Sequence, residues 1–138
     1  MVLASTGVPF SAEAVRAAAD AARGQRVAVV TIARLHGFAF GLPNPGLLPT
    51  AREKEEQARV VSDAKTALHS RGVAADGQIV ITRNPAKAIA GIARRRGASQ
   101  VALQAPLVGK ARAVIEGDPA RSLRRRLRGR CEVHAWYG

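Results

Sequence analysis

The chain alternates between short runs of apolar, often β-branched residues and longer segments whose apolar residues recur at helical spacing. Residues 26–32 are nearly continuous in apolarity, which is typical of a strand buried on both faces of a parallel sheet. This alternation predicts an α/β fold, a doubly wound five-stranded parallel sheet with helices on both faces. The predicted strands are residues 2–5, 26–32, 78–82, 100–103 and 131–136, and the predicted helices are residues 11–23, 50–71, 85–96 and 118–130.

Polar residues mark where three of these helices begin. Ser11, Asn84 and Asp118 each stand just before a helical segment, and Pro85 and Pro119 take the first helical position after two of them. Such polar side chains accept hydrogen bonds from the free N–H groups of the first turn, where proline is also tolerated. Glycines end two of the helices, and residues 36–49, rich in Gly and Pro, predict a long loop.

Length and composition limit the organisation of the chain. With 138 residues, 47% of them hydrophobic, we expect one domain over residues 1–138 that buries a core without metal or disulfide. The single cysteine, Cys131, cannot form an intramolecular disulfide, and no apolar run approaches the roughly 20 residues that span a bilayer. No secretory leader is recognisable. These features predict a soluble protein of the cytoplasm.

The charge is unevenly distributed. Lys and Arg number 22 against 10 Asp and Glu, and residues 83–130 hold thirteen of the basic residues but only two of the acidic ones. Four arginines lie at i, i+3, i+4 and i+7 of the last predicted helix, and they define a candidate polyanion face: Arg121, Arg124, Arg125 and Arg128. This face favours an acidic protein partner or nonspecific binding of nucleic acid, because no aromatic stacking set or recognition helix accompanies it. Alternatively, these four arginines form a solvent-exposed surface without a specific partner.

Two local motifs carry a family resemblance. Residues 2–8, Val-Leu-Ala-Ser-Thr-Gly-Val, and residues 83–89, Arg-Asn-Pro-Ala-Lys-Ala-Ile, resemble the first strand and the third-helix signature of the universal stress protein family. The resemblance covers essentially the whole chain, although Thr6 stands where the family has an acidic residue. It implies the sheet order 3-2-1-4-5, with a ligand crevice between strands one and four. In the first half of the chain it places Ala4, Thr6, Gly7 and Ile32 at that crevice.

The family's nucleotide loop, Gly-x2-Gly-x9-Gly-[Ser/Thr], falls on Gln104, Leu107, Gly117 and Asp118. Only Gly117 keeps the family residue. A carboxylate at Asp118 occupies the phosphate position at a helix N-terminus, and Leu107 adds bulk where the backbone approaches the ligand. We therefore expect no cofactor and no tight binding of ATP. Gly109 and Lys110, with Arg112, offer a different anion site in the same loop, so nucleotide binding stays open as an alternative.

The last strand is an edge strand in the implied sheet order. An unpaired edge strand favours association with another chain. The family resemblance implies pairing of two copies through their last strands, so we expect a homodimer through residues 131–136.

No constellation of residues predicts catalysis. His36, His69 and His134 fall in different predicted elements without metal-ligand spacing, and Cys131 at a strand start is expected to be a small core residue. The resemblance and these observations predict a non-enzymatic regulatory or binding module that has lost tight ATP binding. Two alternatives stay open: a sensor of nucleotides or other anions with a rebuilt loop, and a basic adaptor for nucleic acid or acidic protein.

Overall fold

The computed structural model describes residues 1–34, 50–107 and 118–138. Strands and helices alternate along these residues, as the sequence predicts. The elements are β1 (Val2–Ser5), α1 (Ala12–Ala22), β2 (Val27–Arg34), α2 (Ala51–His69), β3 (Ala75–Thr82), α3 (Pro85–Arg96), β4 (Gln100–Ala105), α4 (Pro119–Arg126) and β5 (Glu132–Tyr137). The loop predicted at residues 36–49 lies outside the described residues.

The five strands form one parallel sheet in the order β3-β2-β1-β4-β5. This confirms the predicted fold class and strand order. The central strand β1 aligns Ser5 with Thr31 of β2 on one side and with Gln104 of β4 on the other. Because the chain reverses its direction of winding between β1 and β4, the carboxyl ends of these two strands border a crevice.

The predicted helix starts are confirmed by their hydrogen bonds. The Ser11 hydroxyl accepts from the Ala14 N–H at 3.1 Å, and Asn84 Oδ1 accepts from the Lys87 N–H at 3.1 Å. Asp118 Oδ1 accepts from the Ala120 N–H at 3.0 Å. Each side chain satisfies one of the N–H groups that the first turn of a helix leaves without an intrahelical partner.

Two element boundaries differ from the prediction by more than two residues. Strand β3 begins at Ala75 instead of residue 78, although it contains Gly77. A Cβ on Gly77 would collide with Val61 of α2, so the glycine allows the helix to pack closely on this strand. Helix α4 ends at Arg126 instead of near residue 130, because Gly129 adopts a φ of +77° and turns the chain toward β5.

Apolar side chains cover both faces of the sheet. One core layer packs against α1 and α2 and includes Leu3, Val27, Val29, Ala102, Ala14, Ala18, Ala64 and Leu68. The other packs against α3 and α4 and includes Val2, Ala4, Val30, Ile32, Val101, Leu103, Ile89, Ile92, Leu123 and Leu127. In the described ranges, none of the helices is long and apolar enough to cross a membrane.

Candidate functional site

The predicted ligand residues of the first half of the chain converge at the switch point of the sheet. Thr6 follows β1, and its N–H donates to the Gln104 carbonyl of β4 at 3.1 Å. Gly7 comes next, and a Cβ at Gly7 would stand 3.4 Å from the carbonyl oxygen of Ile32 in β2. The ends of β1, β2 and β4 are therefore in direct contact here, with Ala4 buried in the layer beneath.

Gly7 has the backbone conformation that this turn requires. Its φ is +105°, in the region that favours glycine over residues with a Cβ. The Ser5 hydroxyl stabilises the same turn, since it accepts from the Val8 N–H at 3.0 Å and donates to the Val8 carbonyl. The turn between β1 and α1 is thus fixed by its own sequence.

Gln104, at the first glycine position of the family motif, has a structural role. Its side chain is 2% exposed, and Oε1 accepts a hydrogen bond from the Ser11 N–H at 3.0 Å. Ser11 caps α1, so Gln104 anchors the start of that helix to β4. The side chain extends toward α1, away from the α3 and α4 layer that contains Ile32.

Gln57 of α2 belongs to this site, and the sequence reasoning missed it. It is buried, and Nε2 donates to the Gly7 carbonyl at 3.1 Å. The helical spacing that turns Ala64 and Leu68 inward also turns Gln57 inward, whereas the next residue, Ala58, is exposed. Helical spacing was the available signal, but a glutamine within the highly charged segment 52–59 is expected at the surface.

Thr6 presents a buried polar atom at the switch point. Its side chain is 5% exposed, and Oγ1 has no hydrogen-bond partner among the described residues. Thr31 Oγ1 and Gln57 Oε1 are also buried without a hydrogen-bond partner among the described residues. Burying a hydroxyl without a partner costs about 1–3 kcal/mol, so a bound polar group that pairs with Thr6 would be stabilised by the contact.

Asp118 occupies the N-terminus of α4 with its own carboxylate. Oδ1 accepts from the Ala120 N–H at 3.0 Å, and the Tyr137 hydroxyl lies 3.5 Å from the same oxygen. Burial, followed by the nearby Asp118 charge, raises the pKa of Tyr137, so the phenol stays protonated at neutral pH and can donate. The helix end that would receive a phosphate therefore already holds an anion.

The remaining loop residues divide into two groups. Leu107 is 79% exposed, so its side chain extends into solvent. Gly109, Lys110, Arg112 and Gly117 lie outside the described residues.

The candidate polyanion face is only partly helical. Arg121, Arg124 and Arg125 lie on α4, whereas Arg128 follows the end of the helix, and all four are exposed. Arg124 Nε donates to the Val133 carbonyl of β5 at 3.3 Å, which holds this guanidinium at the sheet edge. Leu123, on the other side of the helix, is fully buried.

Neither a metal centre nor a reactive thiol emerges from these side chains. Within the described ranges, no three His, Cys, Asp or Glu residues are close enough together to hold a metal ion. Cys131 is half-buried against the α3 and α4 layer, and burial raises the pKa of its thiol. The protonated form is a weak nucleophile.

Comparison with known proteins identifies the fold. No protein-family model and no curated protein matches the chain. Among solved structures, the universal stress protein of Archaeoglobus fulgidus in complex with dAMP is 19% identical, with a TM-score of 0.66 over 97% of this chain and 94% of that one. A protein of the universal stress protein family from Burkholderia pseudomallei is 24% identical, with a TM-score of 0.64 over 97% and 94%. A universal stress protein in complex with cAMP is 16% identical, with a TM-score of 0.64 over 98% and 94%. The chain therefore has the α/β fold of the universal stress proteins.

Proposed function

We propose that the chain is a non-enzymatic regulatory or binding module of the universal stress protein type, a single domain over residues 1–138, that does not bind ATP tightly. The observation that carries this proposal is the Asp118 carboxylate, which caps α4 at 3.0 Å from the Ala120 N–H. The family motif has Ser or Thr at this position. A single cysteine suits a reducing compartment, which supports the cytoplasm as its location.

Electrostatics explain why Asp118 opposes a triphosphate. The N-terminus of a helix attracts anions through its free N–H groups, and one aspartate already satisfies that attraction. A phosphate brought beside the carboxylate meets a like charge. The repulsion is about 1 kcal/mol for unit charges 4 Å apart in water and grows as water is excluded.

A sensor of nucleotides or other anions is the second candidate. Two of the solved structures with this fold hold the monophosphates dAMP and cAMP. The buried Thr6 hydroxyl and the turn at Gly7 supply a hydrogen-bonding group and close backbone access at the crevice. A ligand with fewer charges than ATP would be repelled less by Asp118.

Calorimetry with Mg-ATP, AMP and cAMP tests both candidates. We expect no binding of Mg-ATP by the native chain at micromolar concentrations. Asp118→Ser should strengthen any weak binding of a phosphate ligand by about 1 kcal/mol, roughly fivefold in affinity. Asp20→Ser, an exposed aspartate on α1, is the matched control and should change nothing. A clear micromolar isotherm for Mg-ATP with the native chain would contradict the proposal, and one for AMP or cAMP alone would select the sensor.

We also propose that two copies associate through β5. The Glu132 N–H donates to the Ser99 carbonyl at 2.9 Å and the Gly138 N–H to the Ala105 carbonyl at 3.1 Å, so even-numbered residues of β5 direct their backbone groups toward β4. The backbone groups of the odd-numbered residues then point outward from the edge. Arg124 covers the Val133 carbonyl, and the outward N–H groups of Val133, Ala135 and Tyr137 offer a partner a row of donors.

A pair of proline substitutions separates pairing between copies from folding. Val133→Pro removes an outward donor and should shift a dimer toward monomer while the urea midpoint changes little. His134→Pro removes a donor that faces β4 and should destabilise the monomer itself. Light scattering and urea unfolding measure the two effects. A monomeric native chain at about tens of micromolar, the range of weak dimers, would rule the dimer out.

A further inference from the structure

The four helices of the described residues all end at the amino-terminal ends of the strands, opposite the ligand crevice, because each runs antiparallel to the strands that it connects. The ends of α3 and α4 and the turn before β5 bring six arginines to this amino-terminal edge. We call this set the arginine edge: Arg94, Arg95, Arg96, Arg126, Arg128 and Arg130.

Two contacts fix the arginine edge in place. Arg94 Nη2 of α3 donates to the Arg126 carbonyl of α4 at 2.7 Å, which ties the two helix ends together. Arg96 Nη2 lies 2.8 Å from Asp76 Oδ2 of β3. The other exposed members, Arg95, Arg128 and Arg130, form no ion pair or side-chain hydrogen bond with any described residue. Their guanidinium groups are available to a partner.

The charge of this edge exceeds what the helices themselves need. Cations at helix C-termini compensate the macrodipole, which amounts to about half a unit of negative charge per helix. Asp76 is paired with Arg96, and Glu132 at the start of β5 lies 3.6 Å from His134 Nε2. After the two dipoles and these two carboxylates, roughly three positive charges remain without compensation.

The residue types at the arginine edge indicate which class of partner it binds. The exposed large apolar side chains of the described residues are Ile79, Ile81, Leu107 and Tyr137, all in the second half of a strand or beyond its carboxyl end. The arginine edge therefore lacks the apolar anchors that a protein interface or a membrane surface uses. Among the described residues, it also has no aromatic side chains for stacking single-stranded bases. Arginine forks without aromatic or apolar neighbours match regularly spaced phosphates.

We propose that the arginine edge binds the phosphate backbone of duplex nucleic acid without reading its sequence. The described helices present their C-termini there, whereas a recognition helix reaches base edges with its N-terminal residues. This surface lies at the amino-terminal ends of the strands, whereas the crevice at Thr6 and Gly7 lies at their carboxyl-terminal ends. This function is therefore separate from ligand binding at the crevice. Each arginine that contacts a phosphate releases counterions, which makes the affinity fall as salt rises.

Fluorescence anisotropy with a labelled DNA duplex of about 20 base pairs, longer than the edge, tests the proposal over a series of KCl concentrations. The test variant is Arg95→Gln/Arg128→Gln/Arg130→Gln. The control variant, Arg16→Gln/Arg52→Gln/Arg59→Gln, removes the same charge from exposed positions of α1 and α2. The test variant should lose affinity on the order of 100-fold at about 0.1 M salt, and its slope of log K against log salt should fall by about two to three. The control should lose less than about threefold.

Three results would overturn the proposal: equal losses in the two variants, tighter binding of a single strand of the same length, or retention on phosphatidylserine vesicles with none on the duplex. Urea unfolding checks that both variants fold. Should the test variant fail to fold, Arg128→Gln and Arg130→Gln are measured singly, and each should lower the slope by about 0.9. Any binding of AMP or cAMP that the native chain shows, measured in parallel, should be the same in every variant, which separates this function from the crevice.

Discussion

The two ends of the parallel strands use polar residues in opposite ways; we call them the carboxyl edge, which holds the crevice, and the amino edge, which holds the arginine edge. At the carboxyl edge, Ser5, Gln57 and Gln104 are largely buried and hydrogen-bonded to backbone atoms of the turn after β1 and of the start of α1. At the amino edge, guanidinium groups such as those of Arg95 and Arg128 are exposed. Buried polar groups cost free energy when their partners are removed, whereas exposed charges contribute little to stability. The carboxyl edge should therefore determine stability and the amino edge should determine adhesion to polyanions.

The largest effect is expected at Gln104. Gln104→Ala removes the acceptor of the Ser11 N–H and leaves a cavity between β4 and α1, which should lower the free energy of unfolding by about 2–3 kcal/mol. Gln100→Ala, in the same strand at its amino end, should cost less than about 0.5 kcal/mol. Urea titrations measure both. Similar urea midpoints for the two variants would contradict the expectation that the carboxyl edge determines stability.

A helix cap at the carboxyl edge should have an intermediate effect. Asn84→Ala removes the acceptor of the Lys87 N–H and should cost about 1 kcal/mol. Ser99→Ala replaces an exposed hydroxyl at the amino edge and should be close to neutral. The same urea assay applies, and a cost at Ser99 as large as that at Asn84 would contradict the expectation.

The ion pair at the amino edge should contribute less. A double-mutant cycle with Arg96→Gln and Asp76→Asn should give a coupling of about 0.2–1 kcal/mol that shrinks in high salt, because both side chains are about two-fifths exposed. The matched pair Arg52 and Glu56 is longer, at 3.6 Å, and more exposed, so its coupling should be smaller still. A coupling at Arg96 that is insensitive to salt would show that the pair is effectively buried.

The smallest effect concerns the thiol of Cys131 beside the arginines. Burial raises the pKa of this thiol in the fold, the N-terminal ammonium opposes the shift and the Glu132 charge adds to it, so the thiolate fraction at about pH 8 is lower than in the unfolded chain. Any stability that this shift contributes is present below the unfolded pKa and is lost as the pH rises through the folded pKa. Alkylation by iodoacetamide should therefore be slower in buffer than in urea and should reach half its maximal rate at a higher pH. Identical pH profiles would contradict this.

The sequence predicted the order of elements because each signal was local. Apolar runs marked the strands, and Ser11, Asn84 and Asp118 marked helix starts that the structure confirms. The start of β3 was missed because its glycine is a poor strand former, and only the packing of α2 against Gly77 accounts for it. The end of α4 was placed too late because arginine has high helix propensity, which the turn at Gly129 overrides.

The candidate site was predictable where topology alone decides it. Thr6, Gly7 and Gln104 had to meet once the strand order was known, because parallel strands end at the same edge. The partners of Gln104 and Gln57 were not predictable. Both depend on how far a long side chain reaches between layers, from β4 to Ser11 and from α2 to Gly7, and residue spacing carries no information about that distance.

The hydrogen bond from the Ser11 N–H to Gln104 also limits how a nucleotide site could be engineered into this chain. The glycine that the universal stress protein motif has at this position would leave the Ser11 N–H without its acceptor and the neighbouring packing incomplete. Installing that glycine alone would therefore make the protein less stable, unless another side chain first took over the contact. The residue at position 104 thus couples the start of α1 to any redesign of the crevice.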